Sequence, residues 1–323
     1  MSAIWAVGEV VGGQPTRLTL ELATLAGELA GAGGRTTVVL VGADPSAAAE
    51  VARHGPDVIV DRAEPPEEAD ATSVALAVAE LIDQHEPDVL LIGGSPEGKD
   101  VAGTLLGLTD LPMLVAANGV TATDGRISVE MGTFGGRVIT ASSFASGGGI
   151  VLVRPGSVTA RTSDVPGAVT EMTVTPRRTL PAVSVVERVA APAGGPSIDG
   201  ASIIVGVGRG VGGREGIELL EDLATSLGAA VGATRAVVDA GWMDFAQQIG
   251  QTGKTVKPDL YIAAGVSGAI QHKVGVQSVG TIVAIDTDRD APISEYADVF
   301  VVGDLFEVVP RLTAAIHEAR EGT

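Results

Sequence analysis

Short runs of valine, isoleucine and leucine alternate with amphipathic stretches of helical length along most of the chain. Continuous apolar runs are typical of strands buried on both faces, and intervening helices allow successive strands to run parallel. The pattern predicts strands at 4–10, 36–41, 57–60 and 88–92, and helices at 16–29, 45–54 and 71–85. The predicted fold class is therefore α/β, with mostly parallel sheets flanked by helices.

The alternation breaks down in the middle of the chain. Between 112 and 155 the apolar runs follow one another too closely for helices, which favours hairpins or a mixed sheet edge. Residues 155–200 lose their periodicity, and the segment VAAPAGGPSIDG has the composition of a linker. We place a domain boundary near Gly195, with an N-terminal α/β domain at 1–195 and a C-terminal domain at 196–323.

The α/β pattern resumes after this boundary. ASIIVGVG predicts a buried strand and REGIELLEDLATSLG an amphipathic helix, and a last helix is predicted at 305–319. Further strand-like runs are AAVGATRAVVDAG, DLYIAAG, GTIVAID and DVFVVG. This order predicts a doubly wound domain, in which ligands bind outside the carboxyl ends of the strands.

Composition excludes several classes of function. The chain has 323 residues, enough for two domains, and no cysteine, which excludes disulfides, thiolate metal sites and cysteine nucleophiles. The net charge of −19 disfavours binding to nucleic acid or anionic membranes. No apolar run is long enough to cross a bilayer, and the start MSAIWAVGEVVGG lacks the basic region of a signal peptide. We expect a cytoplasmic protein that neither binds nucleic acid nor inserts into a membrane.

The first glycine-rich segment, GGSPEGKD at 93–100, has the spacing of a phosphate-binding loop but the wrong side chains. Asp100 stands where serine or threonine would hold magnesium, and Glu97 would repel phosphates. This segment predicts a helix N-terminus with acidic residues in its first turn.

The second segment, GVGRGVGG at 206–213, follows a predicted strand and precedes a predicted helix. Gly208, Gly210 and Gly213 satisfy the spacing of a dinucleotide-binding turn, and Arg209 adds a guanidinium suited to phosphates. An NAD-dependent dehydrogenase with Asp239 on the ribose is one interpretation, and it predicts a colourless protein.

Three more donor-rich segments follow predicted strands or lie between them: VGATR at 231–235, QIGQTGK at 248–254 and GVSGAIQH at 265–272. Among the four histidines only His272 lies beside a phosphate-type turn, and His54, His85 and His317 are predicted to be surface residues. Paired catalytic carboxylates, a Ser-His-Asp order and a metal-ligand cluster are not apparent, so no catalytic or metal site is predicted.

The segments GVGRGVGG, VGATRAVVDAGW, QIGQTGK, GVSGAIQH and TIVAIDTDRDAPI, in this order and spacing, resemble the alpha subunit of electron-transfer flavoprotein. The resemblance is strong from Ala201 onward and weak before it. It implies one non-covalent FAD in the C-terminal domain, and a heterodimer with a beta subunit that carries AMP. It also implies an electron carrier without substrate chemistry of its own. Electrons would come from flavin dehydrogenases, such as the acyl-CoA dehydrogenases of fatty acid β-oxidation, and pass to a membrane quinone oxidoreductase or another acceptor.

The resemblance also implies residue roles. Near the flavin ring, Arg235 would lie over the isoalloxazine, Gln251 and Thr252 at its N5/O4 edge, and His272 near N1/O2. We expect Arg235 and His272 to stabilise negative charge on that side of the ring and to raise the reduction potential.

On the other side of the cofactor, the resemblance implies Arg209, Ser267 and Gly268 near the pyrophosphate, with Thr234 close by. Asp304 matches an aspartate on the adenosine side. Asp286 stands where the family commonly has asparagine. The complete set of candidate cofactor-binding residues is Arg209, Thr234, Arg235, Gln248, Ile249, Gln251, Thr252, Ser267, Gly268, Gln271, His272, Asp286 and Asp304.

A third interpretation, besides the electron carrier and the dehydrogenase, is an adenine-nucleotide sensor built on residues 1–195. It predicts AMP or ATP binding by the N-terminal domain. The visible spectrum of the purified protein separates the three interpretations, because only the flavoprotein is coloured.

Overall fold

A computed structural model describes residues 3–31, 33–62, 70–123, 125–133, 138–145, 147–181, 196–198 and 200–321. The chain separates into two compact units, Met1–Val186 and Glu187–Thr323. The boundary predicted near Gly195 lies outside the described residues.

The N-terminal unit contains a nine-stranded sheet flanked by helices. Its strands are β1 (Ala3–Val7), β4 (Arg35–Val41), β5 (Asp57–Asp61), β6 (Val89–Gly93), β7 (Met113–Thr123), β8 (Arg126–Thr133), β9 (Val138–Ser143), β10 (Gly149–Val153) and β11 (Val169–Met172), and a small hairpin is formed by β2 (Val10–Val11) and β3 (Gln14–Pro15). Its helices are α1 (Arg17–Ala30), α2 (Pro45–Ala52), α3 (Ala71–His85) and α4 (Pro96–Leu108). The strand order is β11-β5-β4-β1-β6-β10-β7-β8-β9, and only the β7-β8 and β8-β9 pairs are antiparallel.

Local sequence signals explain where these helices begin. The hydroxyl of Thr16 accepts from the backbone N–H of Thr19 at the start of α1, and Asp70 and Ser73 form a capping box at the start of α3. One face of the sheet packs against α1 and α2, and the other packs against α3 and α4. Because both faces are covered, the central strands are apolar at every position rather than alternating.

The sequence predictions for this unit are confirmed for the parallel strands, for α1 to α3 and for the mixed edge formed by β7 to β9. The run GGGIVLVRPG was wrongly grouped with that edge. Its strand, β10, lies inside the sheet, parallel to β6 and β7. All five of its residues are buried, which suits a central position. β11 was not predicted, because it lies within 155–200, where the periodicity is lost; it is an edge strand beside β5 that the Arg62–Glu171 ion pair also holds.

His54 was wrongly predicted to be a surface residue. It follows α2, and its side chain is buried beneath the segment around Arg161. Its Nδ1 lies 2.8 Å from the carbonyl oxygen of Arg161 and 3.4 Å from the hydroxyl of Thr24. The contact spans 107 positions along the chain, which local pattern does not reveal.

The C-terminal unit contains a five-stranded parallel sheet in the order β13-β12-β14-β15-β16. Its elements are β12 (Ile203–Val207), α5 (Arg214–Leu227), β13 (Ala230–Ala233), α6 (Arg235–Asp239), β14 (Leu260–Ala264), α7 (Ile270–Val276), β15 (Thr281–Asp286), β16 (Val299–Val302) and α8 (Leu305–Glu321). One face of the sheet packs against α5 and α8, and the other packs against α7 and apolar residues of 249–256. This is the predicted doubly wound layout.

One strand prediction in this unit was wrong. The run AAVGATRAVVDAG forms β13 only as far as Ala233, and α6 follows. The neighbouring strand β12 ends at Val207, directly opposite Ala233, so the ladder has no further partner there. The chain turns out of the sheet at Thr234, whose N–H donates to the carbonyl of Val207.

Candidate functional site

The candidate residues of the C-terminal unit all lie at or beyond the carboxyl ends of parallel strands. Arg209 follows β12, and Thr234 and Arg235 follow β13. The loop 248–252 lies beside the end of β13, because Gln248 forms a parallel β-bridge with Ala233. The segment 267–272 follows β14, Asp286 ends β15 and Asp304 follows β16. Parallel strands share one carboxyl edge, so the fold brings these segments to the same edge of the sheet.

Two glycine-rich loops meet at the switch point between β12 and β14, where the strand order reverses direction. The N–H groups of Gly208 and Gly210 donate to the carbonyls of Ala264 and Gly265, at 2.9 and 3.0 Å. A Cβ added to Gly208 would lie 2.0 Å from the carbonyl oxygen of Gly265. These glycines are therefore required for contact between the two loops, and the N–H groups of both already have protein acceptors.

This geometry disfavours the NAD-dependent dehydrogenase. Asp239, the proposed ribose ligand, ends α6, and its carboxylate lies 3.2 Å from Nε of Arg235. The residue that follows β13 is Thr234, which cannot act as the acidic ribose ligand of a nicotinamide site.

The phosphate side of the candidate site is formed by Arg209, Ser267 and Gly268. Arg209 opens a 3₁₀ turn and is exposed, as is Ser267. The carbonyl of Ser267 accepts from the N–H of Ile293 at 3.0 Å. Gly268 has a φ of 79°, and a Cβ there would lie 2.4 Å from the nitrogen of Ile293. Only glycine fits this close contact between Gly268 and the backbone of Ile293. The contact fixes the position of Ser267 next to the switch point.

Thr234 has a buried hydroxyl oxygen without a hydrogen-bond partner among the residues the structure describes. A buried polar atom that lacks a partner is costly, and in a native protein it calls for a ligand or water. Arg235, next along the chain, is exposed and pairs with Asp239. An exposed pair of this kind contributes little to stability, so the guanidinium is free to turn toward a ligand.

The QIGQTGK loop is bonded to α7. The N–H of Gln251 donates to the carbonyl of Gln271 at 2.8 Å, and just after the loop the N–H of Val256 donates to the carbonyl of Gly275 at 2.9 Å. Inside the loop, Nε2 of the buried Gln248 donates to the hydroxyl oxygen of Thr252 at 3.0 Å. The hydroxyl proton of the exposed Thr252 is thereby left to donate elsewhere.

His272 is buried, and both of its ring nitrogens lie near protein atoms. Nδ1 is 3.2 Å from the carbonyl oxygen of Ile249, which is itself buried, and Nε2 is 2.9 Å from the hydroxyl of Tyr261. Burial lowers the pKa of His272 to about 4, against a smaller opposing effect of the Ile249 carbonyl. His272 is therefore neutral at pH 7. That His272 stabilises negative charge beside a flavin stays a prediction, and a neutral imidazole would do so through a hydrogen bond rather than a charge.

The carboxylates of Asp286 and Asp304 both accept hydrogen bonds from backbone N–H groups within local turns. One carboxylate oxygen of Asp286 accepts from the N–H of Asp288, and one of Asp304 accepts from the N–H of Phe306 at the start of α8, each at 2.9 Å. The N–H of Gly303 donates to the carbonyl of Asp286, which places the two loops side by side.

Sequence reasoning missed Tyr261. It lies in β14 among apolar residues and was read as part of a core strand. Its signal in the sequence is a hydroxyl in an otherwise apolar run. Its register partner in β12 is Ile204, and its hydroxyl lies over Gly206, two positions further along that strand.

The N-terminal unit has a corresponding switch point between β1 and β6, where the predicted helix N-terminus is confirmed. The hydroxyl of Ser95 accepts from the N–H of Gly98 as α4 begins, and Glu97 lies in the first turn. Glu9 and Glu97 line a cavity of about 40 Å³. The two carboxylates would repel the phosphates of an adenine nucleotide there.

The described part of the chain contains no group of three or more histidine, aspartate or glutamate side chains that could hold a metal ion. Nor does any of its helices combine the length and apolarity needed to cross a membrane.

A doubly wound parallel sheet with cationic and hydroxyl groups at its switch point is the arrangement of a nucleotide-binding domain. The family model described as electron transfer flavoprotein FAD-binding domain matches residues 197–277, and the electron transfer flavoprotein domain matches residues 4–177. The chain is 36% identical to the electron transfer flavoprotein subunit alpha of Bacillus subtilis, over 95% of each chain. It is 40% identical to that of Mycobacterium leprae, over 78% of each chain. It is 33% identical to the protein FixB of Clostridium saccharobutylicum, over 98% of this chain and 96% of the relative.

This chain belongs to the electron transfer flavoprotein alpha-subunit family. The resemblance found in the sequence is thereby confirmed.

Proposed function

We propose that the chain binds FAD non-covalently at the carboxyl edge of β12 to β16 and serves as the electron-carrying alpha subunit of a heterodimer. The observation that carries this proposal is the unpaired buried hydroxyl of Thr234, which lies on the same sheet edge as Arg209 and Ser267. All three residues fall within the segment that matches the FAD-binding domain.

The residues present fit this cofactor. Arg209 and Ser267 would hold its pyrophosphate, and the hydroxyl of Thr234 would gain the partner it lacks in the protein alone. A bound flavin would supply the electron chemistry, since its ring accepts and releases one or two electrons.

The residues that would lie near the flavin ring would contribute either a positive charge or uncharged hydrogen-bond donors. Thr252 would donate its hydroxyl proton to the N5/O4 edge, because its oxygen already accepts from Gln248. Arg235 would provide the positive charge, since the neutral His272 would not. Gln251 and Gln271, both exposed and joined through their backbones, would add amide donors.

The finer parts of the proposal concern partners. A beta subunit carrying AMP would complete the heterodimer, flavin dehydrogenases would deliver electrons, and a quinone oxidoreductase or another acceptor would receive them. Their support is the membership of the family, in which the relatives are named as alpha subunits. In this scheme the chain performs no substrate chemistry of its own.

The experiment is a visible spectrum of the chain co-purified with its beta subunit, followed by acid release and identification of the chromophore. We expect FAD in a one-to-one ratio with the alpha chain. A colourless complex, or one that releases a nicotinamide nucleotide, would refute the proposal.

A variant then tests the charge near the ring. We expect Arg235→Ala to retain FAD and to lower its reduction potential, because a nearby charge contributes on the order of 1–4 kcal/mol at intermediate dielectric. Arg214→Ala is the matched control, since Arg214 is also exposed and pairs with a neighbour on its own helix. Equal potentials in the two variants would remove Arg235 from this role.

A further inference from the structure

We propose that Asn118 is a site of spontaneous covalent modification, at which the backbone nitrogen of Gly119 attacks the side-chain amide and ammonia is lost. Arg154 stabilises the charge that develops on the amide oxygen, and Glu130 accepts the proton. The proposal concerns the chain without any ligand and is independent of the proposed function.

The reactive pair of residues occurs once in the sequence. Asn118 is the one asparagine among the 323 residues, and Gly119 follows it. For the reaction, the chain must bend so that the nitrogen of the next residue reaches the side-chain carbon. Glycine has no Cβ and permits that bend more readily than other residues. A regular ladder of hydrogen bonds would hold the backbone extended, so the local geometry of β7 decides whether the pair can react.

β7 is irregular at this point. Ala117 pairs with Met131 of β8. The next pair joins Gly119 to Glu130, so two steps along β7 match one step along β8. Asn118 is therefore the extra residue of a β-bulge, which is left out of the pairing. Its side chain is exposed to water, which the second half of the reaction consumes.

The backbone of β7 also changes partner here. Ala117 is paired in parallel with Val153 of β10 and in antiparallel with β8. The residue before it, Ala116, has a φ of 56°, in the left-handed region that residues with a Cβ rarely adopt. The regular ladder is thus interrupted both at Asn118 and immediately before it.

Arg154 activates the amide. Its Nη1 donates to Oδ1 of Asn118 at 3.1 Å. A guanidinium can only donate, so the atom that faces it must be the amide oxygen rather than the amide nitrogen. As the attacking nitrogen adds to the side-chain carbon, negative charge develops on this oxygen, and a cationic donor stabilises it. The N–H of the half-buried Arg154 donates to the carbonyl of Ala117 at 2.9 Å, which fixes the arginine beside the bulge.

A carboxylate lies next to the residue that supplies the attacking nitrogen. Glu130 is the register partner of Gly119, and its Oε2 lies 3.3 Å from the position that a Cβ on Gly119 would occupy. An oxygen this close to Gly119 is placed to accept the proton that the nitrogen loses on attack. The bulge thus brings together an electrophile, a nucleophile, a cation and a base.

The reaction balances without an outside reagent other than water. The nitrogen of Gly119 forms a bond with Cγ of Asn118 and passes its proton to Glu130. The bond between Cγ and the side-chain nitrogen then breaks, and that nitrogen takes up the proton and leaves as ammonia. The product is a five-membered succinimide ring. Water opens the ring at either of its two carbonyl carbons and leaves aspartate or isoaspartate at position 118.

The two products differ in their effect on the sheet. Aspartate would turn the bond between position 118 and Arg154 into an ion pair. Isoaspartate would add one carbon to the backbone of β7 at the bulge. Each product adds a negative charge to the strand that joins the parallel part of the sheet to its antiparallel edge.

Mass spectrometry of peptides from the full chain, aged in mildly alkaline buffer, tests the proposal. Exchange of the amide for a carboxylate raises the mass of the peptide that contains position 118, and chromatography separates its aspartate and isoaspartate forms. We expect both forms to accumulate, while peptides whose only side-chain amides are glutamines keep their masses. The absence of a mass gain at position 118 would overturn the proposal.

Variants test the roles of the neighbours. Glu130→Gln and Arg154→Leu should each slow the reaction by about tenfold, less than in a closed active site because water reaches this one. Gly119→Ala should slow it at least as much, and the added Cβ would lie closest to the flexible end of the Glu130 side chain, so the fold is retained. The control is Arg126→Leu, which removes an exposed arginine of β8 four positions from Glu130 and should leave the rate unchanged.

Circular dichroism shows whether each variant is folded. Because Glu130 is exposed, Glu130→Gln provides the test if Arg154→Leu does not fold. An unchanged rate in Glu130→Gln, or in a folded Arg154→Leu, would overturn the role of that residue. A faster reaction in a folded Arg154→Leu would show that the amide reacts in locally unfolded molecules, and it would overturn the proposal as a whole.

Discussion

In the N-terminal unit the chain leaves β1, adds β4 on one side of it and later adds β6 on the other. The C-terminal unit places β13 and β14 around β12 in the same way. Both units therefore have a switch point at which a ligand could bind. The N-terminal one is lined by Glu9 and Glu97, whereas the C-terminal one presents Arg209.

The two sites also differ in how their polar groups are satisfied. The hydroxyl of Thr19 in α1 accepts from the N–H of Glu9 and donates to its carbonyl, both at 2.8 Å, so the loop after β1 is bonded to α1. The hydroxyl of Thr234 has no such partner among the described residues. The same topology thus gives one site whose threonine hydroxyl is paired within the protein and one whose threonine hydroxyl has no partner among the described residues. The side chains rather than the fold therefore distinguish the two units as ligand sites.

The largest expected effect concerns the first glycine after each leading strand. A Cβ on Gly208 would lie 2.0 Å from a backbone carbonyl oxygen, whereas one on Gly8 would meet mainly the flexible side chain of Leu40, at 2.3 Å. We expect Gly208→Ala to lower the free energy of unfolding by about 3 kcal/mol and Gly8→Ala by about 1 kcal/mol. Urea unfolding measures both, and a larger loss for Gly8→Ala would contradict the comparison.

The next effect concerns charge at the open site. Arg209→Ala should weaken flavin binding by roughly 1.5–3 kcal/mol, or about 10- to 150-fold in Kd, because a charge-assisted bond to phosphate is lost. Fluorescence titration of the deflavinated complex measures this. Arg214→Ala serves as the control, since its guanidinium lies 2.8 Å from Glu218. Equal losses in both variants would show that general charge, rather than the position of Arg209, governs affinity.

Acid should destabilise the C-terminal unit before the N-terminal one. His272 has a pKa of about 4 in the folded state against 6.5 when unperturbed. The unfolded state therefore takes up the proton first, and stability is lost as the pH falls from 6.5 to 4. Hydrogen bonds from Gln84 and Arg177 lower the pKa of Glu80 from 4.5 to about 2. Its contribution is present above pH 4.5 and is lost only as the pH falls toward 2.

The two tryptophans report on the units separately, since Trp5 lies in β1 and Trp242 follows α6. Trp5→Phe leaves Trp242 as the reporter, and Trp242→Phe leaves Trp5. The acid-unfolding transition reported by Trp242 should occur at a higher pH than the one reported by Trp5. His272→Gln should shift the Trp242 transition to lower pH. Coincident transitions for both tryptophans would contradict the assignment.

The smallest effect has opposite signs in the free and the bound protein. Thr234→Val removes the unpaired hydroxyl, so the flavin-free chain should become more stable by about 1 kcal/mol. Flavin affinity should fall by a similar amount, because the ligand loses its partner. Thermal unfolding and titration measure the two terms. Thr19→Val is the contrast, and it should destabilise the N-terminal unit because the bonds of its hydroxyl to Glu9 and Thr16 are lost.

Local patterns predicted most elements, and the predicted α3 coincides with the observed Ala71–His85. The position of β10 within the sheet was not predictable, since an apolar run shows that a strand is buried but not which strands flank it. His54 was wrongly placed on the surface, and the hydrogen bond of Tyr261 was missed, for a related reason. Each bonds to a residue on another element, and periodicity reports only on neighbours along the chain.

The candidate site was predictable in its location but not in its internal bonding. The rule that parallel strands expose ligands at their carboxyl ends correctly grouped Arg209, Thr234 and Ser267. The dinucleotide spacing of the glycines suggested close approach of a ligand, whereas Gly208 instead allows close approach of Gly265. A glycine required for either reason looks the same in a sequence.

The insertion of β10 between β6 and β7 has a consequence for synthesis of the chain on the ribosome. Its partner β6 ends at Gly93, and α4 and the three strands β7 to β9 are made before β10 appears. Until Val153 has emerged, β6 has an unpaired edge and the β7–β9 meander has no attachment to it. Open edges of this kind recruit other strands. A nascent chain stalled after Ser143 therefore exposes this open edge, whereas one extended past Val153 can close it.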